Sequence, residues 1–254
     1  MFDSHIHTKY SSDSDMSIEE VVKRMRELNM GAVITEHMDL KFPIKNKFIF
    51  DVEEYFKNYS NYRNNNFLLG IEMGMKMDCI EESNRLQQKY EFDYVIGSVH
   101  LVNNIDIYVE EFYRGRSKKE VYESYFNEMI KCLKVYNFID SLGHIDYIAR
   151  YARYEDKELY YSEYSEFLDE ILKLIIDKGI VLELNTRRLN NSFSTKNLIE
   201  IYKRYNELGG KYVVLGSDAH RKENIANYFK TASEMIETCN LKSVYFKERK
   251  MQYC

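Results

Sequence analysis

Seven short runs rich in Ile, Val and Leu recur along the chain, and stretches with helical periodicity separate most of them. The runs are Phe2 to Ile6, Ala32 to Thr35, Leu68 to Ile71, Tyr94 to Val99, Ile139 to Leu142, Ile180 to Leu184 and Tyr212 to Leu215. Continuous apolar character marks strands buried on both faces, and strict strand and helix alternation implies that they run parallel. Ser17 with Glu20 and Ser117 with Glu120 have the spacing of capping boxes, opening helices to Leu28 and to about Tyr136. Further helical patterns cover Val52 to Tyr62, Glu81 to Tyr90, Ser162 to Lys178, Thr195 to Leu208 and Glu223 to Thr238. Gly31, Gly179 and the Gly209-Gly210 pair follow three of these helices, where a left-handed terminating residue is expected. No Pro/Gly/Ser-rich linker, repeat or low-complexity segment interrupts the pattern, so residues 1–254 read as a single α/β domain.

All six histidines sit where one of these strands runs out: His5 and His7, His37, His100, His144 and His220. Side chains alternate along a strand, so His5 and His7, and likewise Asp218 and His220, point the same way in pairs. Residues from several strands face one another across the C-terminal mouth of a barrel, whereas the outer strands of an open sheet are usually too far apart to share a ligand cluster. The histidines therefore favour closure into a barrel over an open doubly wound sheet.

A net charge of −5 and a pI near 5.8, with no block of Lys or Arg, exclude a dedicated nucleic-acid or membrane-surface binder and point to a small-molecule partner. Cys79, Cys132, Cys239 and Cys254 form no CxxC pair, so they read as reduced thiols of a cytoplasmic protein. No apolar run approaches the ~18 residues of a membrane span. The opening MFDSHIHTKY also lacks the basic and apolar regions of a signal peptide.

Three carboxylates accompany the histidines at strand ends: Glu72 after LLGI, Glu183 within IVLELN and Asp218 after VLGS. Imidazole plus carboxylate without thiolate suits Zn, Mn or Fe in a hydrolytic site. The segments DSHIHTKYSSDSD, ITEHMD, GIEMGM, IGSVHLV, GHIDYIARY, ELNTR and LGSDAH, in this order from Asp3 to His220, resemble the polymerase and histidinol phosphatase (PHP) family, and most closely its histidinol-phosphatase branch. The resemblance implies a distorted (βα)7 TIM-like barrel holding two to three divalent ions. It implies that His5, His7, Glu72 and Asp218 surround one ion, and that Glu72 bridges to another held by His100 and His144. His37 and His220 would hold the remaining one, with Asp13 standing where many members place a histidine.

Closely spaced ions can share a bridging hydroxide and fix a phosphate for in-line attack, so the expected reaction is phosphate-monoester hydrolysis. No GxSxG, CxxxxxR or Gly-rich phosphate loop offers another route. Planar donors suit phosphate, and Arg150 and Arg188 lie just beyond the fifth and sixth strand ends, with Arg187 and Arg153 as neighbours able to take either role. Ser98, two residues before His100, is a further candidate donor. Asp218 and His220 are near enough to supply the proton that the departing alkoxide needs. Glu183 and Asn185 face inward and read as partners of the ligands or as contacts to a substrate amine. The connection from Leu101 to Arg116 carries Asp106, Glu110 and Glu111 among aromatics, suiting a substrate with an ammonium and an imidazole. The leading expectation is hydrolysis of L-histidinol phosphate in histidine biosynthesis. Another small phosphomonoester or phosphotyrosine, and a non-catalytic metal-binding module, are the alternatives.

Overall fold

The computed structural model describes residues 1–254. Its strands are β1 (Phe2–Ile6), β2 (Gly31–Met38), β3 (Phe67–Gly74), β4 (Tyr94–Ser98), β5 (Leu101–Val102), β6 (Ile105–Asp106), β7 (Ser141–Leu142), β8 (Val181–Asn185), β9 (Tyr212–Gly216), β10 (Lys242–Lys247) and β11 (Lys250–Tyr253). Its helices are α1 (Ile18–Leu28), α2 (Val52–Tyr59), α3 (Ile80–Lys89), α4 (Lys118–Val135), α5 (Tyr147–Tyr151), α6 (Ser165–Asp177), α7 (Ser192–Glu207) and α8 (Phe229–Thr238). One sheet runs β1-β2-β3-β4-β7-β8-β9-β10-β11, parallel throughout except for the β10–β11 pair. A parallel bridge between Ile6 and Ala219 closes the mouth of a TIM-like barrel. At the base the ring is wedged open instead, because β10 continues the sheet beyond β9 and Tyr245 stacks on Phe2 at 3.8 Å.

The seven expected strands are all present. The C-terminal hairpin β10–β11 and the short α5 were not anticipated. Both capping boxes form, with each serine accepting from the backbone of its glutamate and each glutamate reaching back to the serine. Gly179 and Gly209 adopt positive φ, but Gly31 does not: α1 ends instead on left-handed Asn29, φ 52°. Gly31 opens β2 against the Phe2 ring, which a Cβ would strike.

The inner face changes character along the barrel axis. Phe2, Val33, Leu68, Tyr94, Ile96, Val181, Val214, Val244 and Phe246 form a separate apolar cluster. Stepping by twos from several of these residues gives Thr35 and His37, Gly70 and Glu72, Ser98 and His100, Glu183 and Asn185, and Gly216 and Asp218. A strand's period of two thus carries an apolar plug at the base into a polar mouth. β1 pairs irregularly between Asp3 and Ile6, and this bulge switches its inward parity from Phe2 to His5 and His7.

Candidate active site

Glu72, fully buried at the end of β3, is the centre of the mouth. Its Oε1 lies 2.8 Å from His144 Nε2 and 3.2 Å from His100 Nε2, while Ser98 donates to the same oxygen at 2.8 Å. Its Oε2 faces His37 Nδ1 at 2.8 Å, His5 Nε2 at 3.4 Å and His7 Nε2 at 3.5 Å. Asp218 Oδ1 stands 3.5 Å from His7 Nε2 and 3.9 Å from His5 Nε2. Asp13 reaches in from the loop after β1, 3.1 Å from His220 Nε2 and 3.6 Å from His37 Nε2. The backbone of Asp218 is left-handed at φ 53°, a conformation that Asp tolerates better than most residues, and it turns the chain between Asp218 and His220.

Four of these buried atoms, His5 Nε2, His7 Nε2, His37 Nδ1 and Glu72 Oε2, make no hydrogen bond of good geometry, the 2.8 Å approach of the last two being a charge contact only. Each such buried polar atom costs about 1–3 kcal/mol, so a convergent set of them calls for a ligand that accepts lone pairs. The donors form overlapping triads with ligand atoms within 4.8 Å of one another: His7, His37 and His220; His5, His144 and Asp218; His5, His7 and Glu72; His37, Asp39 and His100; Glu72, His100 and His144. Nitrogen and oxygen donors without thiolate fit Zn, Mn or Fe cations.

The electrostatics make the same demand. Burial favours neutral imidazole, yet Glu183, Glu72 and Asp218 drive the His5 pKa well above its usual range, and Asp39 with Glu72 does the same to His100. Against the same burial penalty, Glu72 and Asp13 raise His37 to about 10. Burial opposes ionisation of Glu72 too, but His5, His100 and His37 hold it well below the carboxylate range, and Arg150 with His5 does so for Asp218. His7 moves the other way, lowered by burial and by His37 and His220. The carboxylates thus require positive charge beside them, which protons supply in the bare protein and divalent cations supply equally well.

Two cavities adjoin the cluster. One, of about 380 Å³, lies among His37, His220, Asp218, Arg150, Arg187 and Arg221. The other, of about 320 Å³, is walled by Phe42, Phe48, Tyr108, Tyr147 and Tyr151, with Lys47 and Asp106. A larger cavity of about 520 Å³, lined by residues including Met1, Phe2 and Met25, contains none of the ligand set.

Residues 3–187 of the chain match the PHP domain. The chain belongs to the PHP family. A probable histidinol-phosphatase of Clostridium acetobutylicum is 52% identical over 253 residues, spanning 100% of this chain and 99% of its own. The histidinol-phosphatase of Lactococcus lactis is 31% identical over 225 residues, 86% of this chain and 83% of its own. The crystal structure of histidinol phosphate phosphatase from L. lactis, complexed with Zn, L-histidinol and phosphate, matches with a TM-score of 0.93 at 28% identity, covering 99% of this chain and 98% of that one.

Within this PHP barrel the structure brings His5, His7, Asp13, His37, Glu72, His100, His144, Asp218 and His220 together. Arg188 and Ser98, assigned to substrate from the sequence, have other partners, and Glu183 makes the contacts expected of a partner of the ligands. Arg188 lines neither cavity at the cluster: its guanidinium is buried against Asp146 at 3.0 Å, Glu158 at 2.7 Å and Ser194 at 3.3 Å. Its neighbour Arg187 turns to the mouth, donating to the Asp218 carbonyl. Ser98 is fully buried with its hydroxyl on Glu72 and lines neither cavity. Glu183 is likewise sealed from the cavities, accepting from His5 Nδ1 at 2.6 Å and from the His144 N–H at 2.6 Å. Gly216 makes room for this pair, because a Cβ there would lie 2.6 Å from that of His5. Arg150 does reach the site, 2.6 Å from Asp218 Oδ2 and 3.2 Å from Asn185 Oδ1. Asp39 was missed in the sequence, although it follows His37 by two residues and shares its face; it holds His100 Nδ1 at 2.9 Å.

Proposed function

We propose that this PHP-family enzyme hydrolyses L-histidinol phosphate to L-histidinol and inorganic phosphate, with about two to three divalent Zn, Mn or Fe ions held by the nine residues gathered at the mouth. The observation that carries the reading is the convergence of partnerless imidazole and carboxylate atoms beside Arg150 and Arg187. The full-length relative named a probable histidinol-phosphatase, and the zinc, L-histidinol and phosphate of the L. lactis structure, support the substrate.

Divalent cations bound there supply Lewis-acid stabilisation of phosphoryl oxygens and a water made nucleophilic at neutral pH. Arg150 and Arg187 offer guanidinium donors from one side, orienting the phosphate. Tyr147 and Tyr151 flank Arg150, 5.1 Å and 5.9 Å from its guanidinium carbon to the ring centres, which restrict its swing. His220 and Asp218 border the same cavity, but as cation ligands neither is free to give a proton, and against burial Arg150 with His5 holds Asp218 ionised. The departing alkoxide therefore takes its proton through water. The aromatic cavity beside them accepts the rest of the substrate, with Asp106 as the counter-charge for an ammonium. A cytoplasmic location fits an enzyme acting on this small metabolite, and no helix is long and apolar enough to cross a membrane.

A panel of phosphomonoesters assayed with metal-reconstituted protein tests the proposal. Preference for L-histidinol phosphate is expected; preference for phosphotyrosine or nucleotides would remove the substrate, and no turnover of any ester would leave a metal-binding module.

A further inference from the structure

His7 stands among three of the proposed ligands, yet no carboxylate contacts its outer nitrogen directly, unlike His5 with Glu183 and His100 with Asp39. His7 Nδ1 instead meets Ser11 Oγ at 3.0 Å. Ser11 Oγ in turn lies 2.5 Å from Glu36 Oε2 and accepts the His37 N–H at 3.1 Å. The Thr8 N–H donates to both Glu36 oxygens at 3.1 and 3.0 Å, and the Thr8 hydroxyl donates to Oε1. His7, Thr8 and Glu36 are fully buried and Ser11 is nearly so, leaving no route for water to substitute.

Both Glu36 oxygens take donors, and the Thr8 hydroxyl is itself met by Tyr59 at 2.8 Å. This arrangement favours the ionised carboxylate against the burial that raises its pKa. For ionised Glu36 the hydrogen count has one solution. Ionised Glu36 has none to give, so the proton between it and Ser11 belongs to the serine. With its only hydrogen spent on Glu36, Ser11 can only accept from His7. We infer that Glu36, acting through Ser11, locks His7 in the tautomer protonated on Nδ1, leaving the Nε2 lone pair aimed at the cation cluster. That nitrogen is the buried one without a partner, 3.5 Å from both Glu72 and Asp218. Ser11 and Glu36 are therefore positioning residues, a relayed form of the direct carboxylate contact made to His5 and His100. The consequence for cation binding rests on the metal reading of the cluster, whereas the tautomer is a property of the bare protein.

The decisive variant is Glu36→Gln. The Thr8 donors hold the amide oxygen on their side, so the amide nitrogen faces Ser11, whose hydrogen must then turn to His7 Nδ1. Histidine side-chain 15N spectra of metal-free protein at mildly alkaline pH should show wild-type His7 protonated at Nδ1 and the Glu36→Gln variant protonated at Nε2. Zinc affinity, measured by competition with a chelator, should fall about 10–100-fold in the variant. Ser11→Ala provides the second measurement should the first variant fail to fold, and it should yield a mixture of His7 tautomers with weaker zinc binding. An unchanged His7 spectrum in a folded variant overturns the relay, as does a reversed tautomer with undiminished zinc affinity. Wild-type protein that takes up no zinc would refute the metal reading separately, with the spectra still reporting on the lock.

Discussion

Glu183 and His5 lie 178 residues apart in the chain yet share a 2.6 Å hydrogen bond between Oε1 and Nδ1. The other Glu183 oxygen accepts the His144 backbone N–H, so one carboxylate fixes two arcs of the mouth at once. An amide in its place can accept on one side only. Glu183→Gln should therefore weaken cation binding at least ~10-fold, the usual cost of losing such a partner. Equilibrium dialysis against graded free zinc reads this directly, and wild-type affinity would mean that Glu183 only fills space.

Arg150 and Arg187, which border the cavity together with Arg221, are the guanidiniums proposed for the phosphate. Replacing either with Ala should lower kcat/KM at least ~10²-fold, as expected for a charge-assisted contact of about 2–4 kcal/mol in a partly desolvated site. Elemental analysis should find the metals retained. Normal kinetics in either variant would remove that residue from the phosphate site.

Arg188 should behave differently, because it neutralises Asp146 and Glu158 in a buried cluster rather than facing the cavity. Removing one partner of such a group leaves uncompensated charge, and Arg188→Ala should destabilise the fold by about 3–5 kcal/mol. Denaturant unfolding measures the loss. Full stability with reduced phosphate affinity would return Arg188 to the substrate.

Metal removal should expose a pH dependence that the loaded protein lacks. In the bare protein the His37 pKa is raised from 6.5 to about 10. Its contribution to stability is then complete below pH 6.5 and lost as pH rises through about 10. Chelator-treated protein should show a falling Tm across that window. Cations instead require the deprotonated ring, so metal-loaded protein should not share the decline. Parallel Tm profiles with and without metal would contradict this account.

Selectivity should depend on the aromatic cavity. L-Histidinol phosphate should surpass a plain aryl phosphate by at least ~10²-fold in kcat/KM, since the phosphate end is common to both. Asp106→Asn should narrow that ratio by raising KM for the ammonium-bearing substrate, with aryl phosphate hydrolysis unchanged. An unaltered ratio would exclude Asp106 as the counter-charge.

The strands and their order were legible because burial on both faces writes continuous apolar runs, and the histidines were legible because they end those runs. β10 was not, since its SVYF core is short and lies between lysines, and its partner β11 is largely polar. Asp39 carried a readable signal in its spacing from His37. Arg187 and Arg188 did not: they sit in a turn after β8, where period-two alternation no longer says which side chain faces the mouth. Ser11 and Glu36 were hidden for another reason. Their partnership is made between a loop and a strand, and no local pattern links the two.

The seam that closes the barrel also has a kinetic meaning. Ser217 donates its N–H to Asp3 across 214 residues, and Ile6 meets Ala219 beside it. Contacts so distant in sequence are slow to form, because chain entropy is lost before any of them is rewarded. Asp218 and His220 leave the ribosome more than 200 residues after His5 and His7. Until the seam zips, a folding intermediate has its early histidines exposed and their partners absent, so tight cation capture should clock the final step of folding.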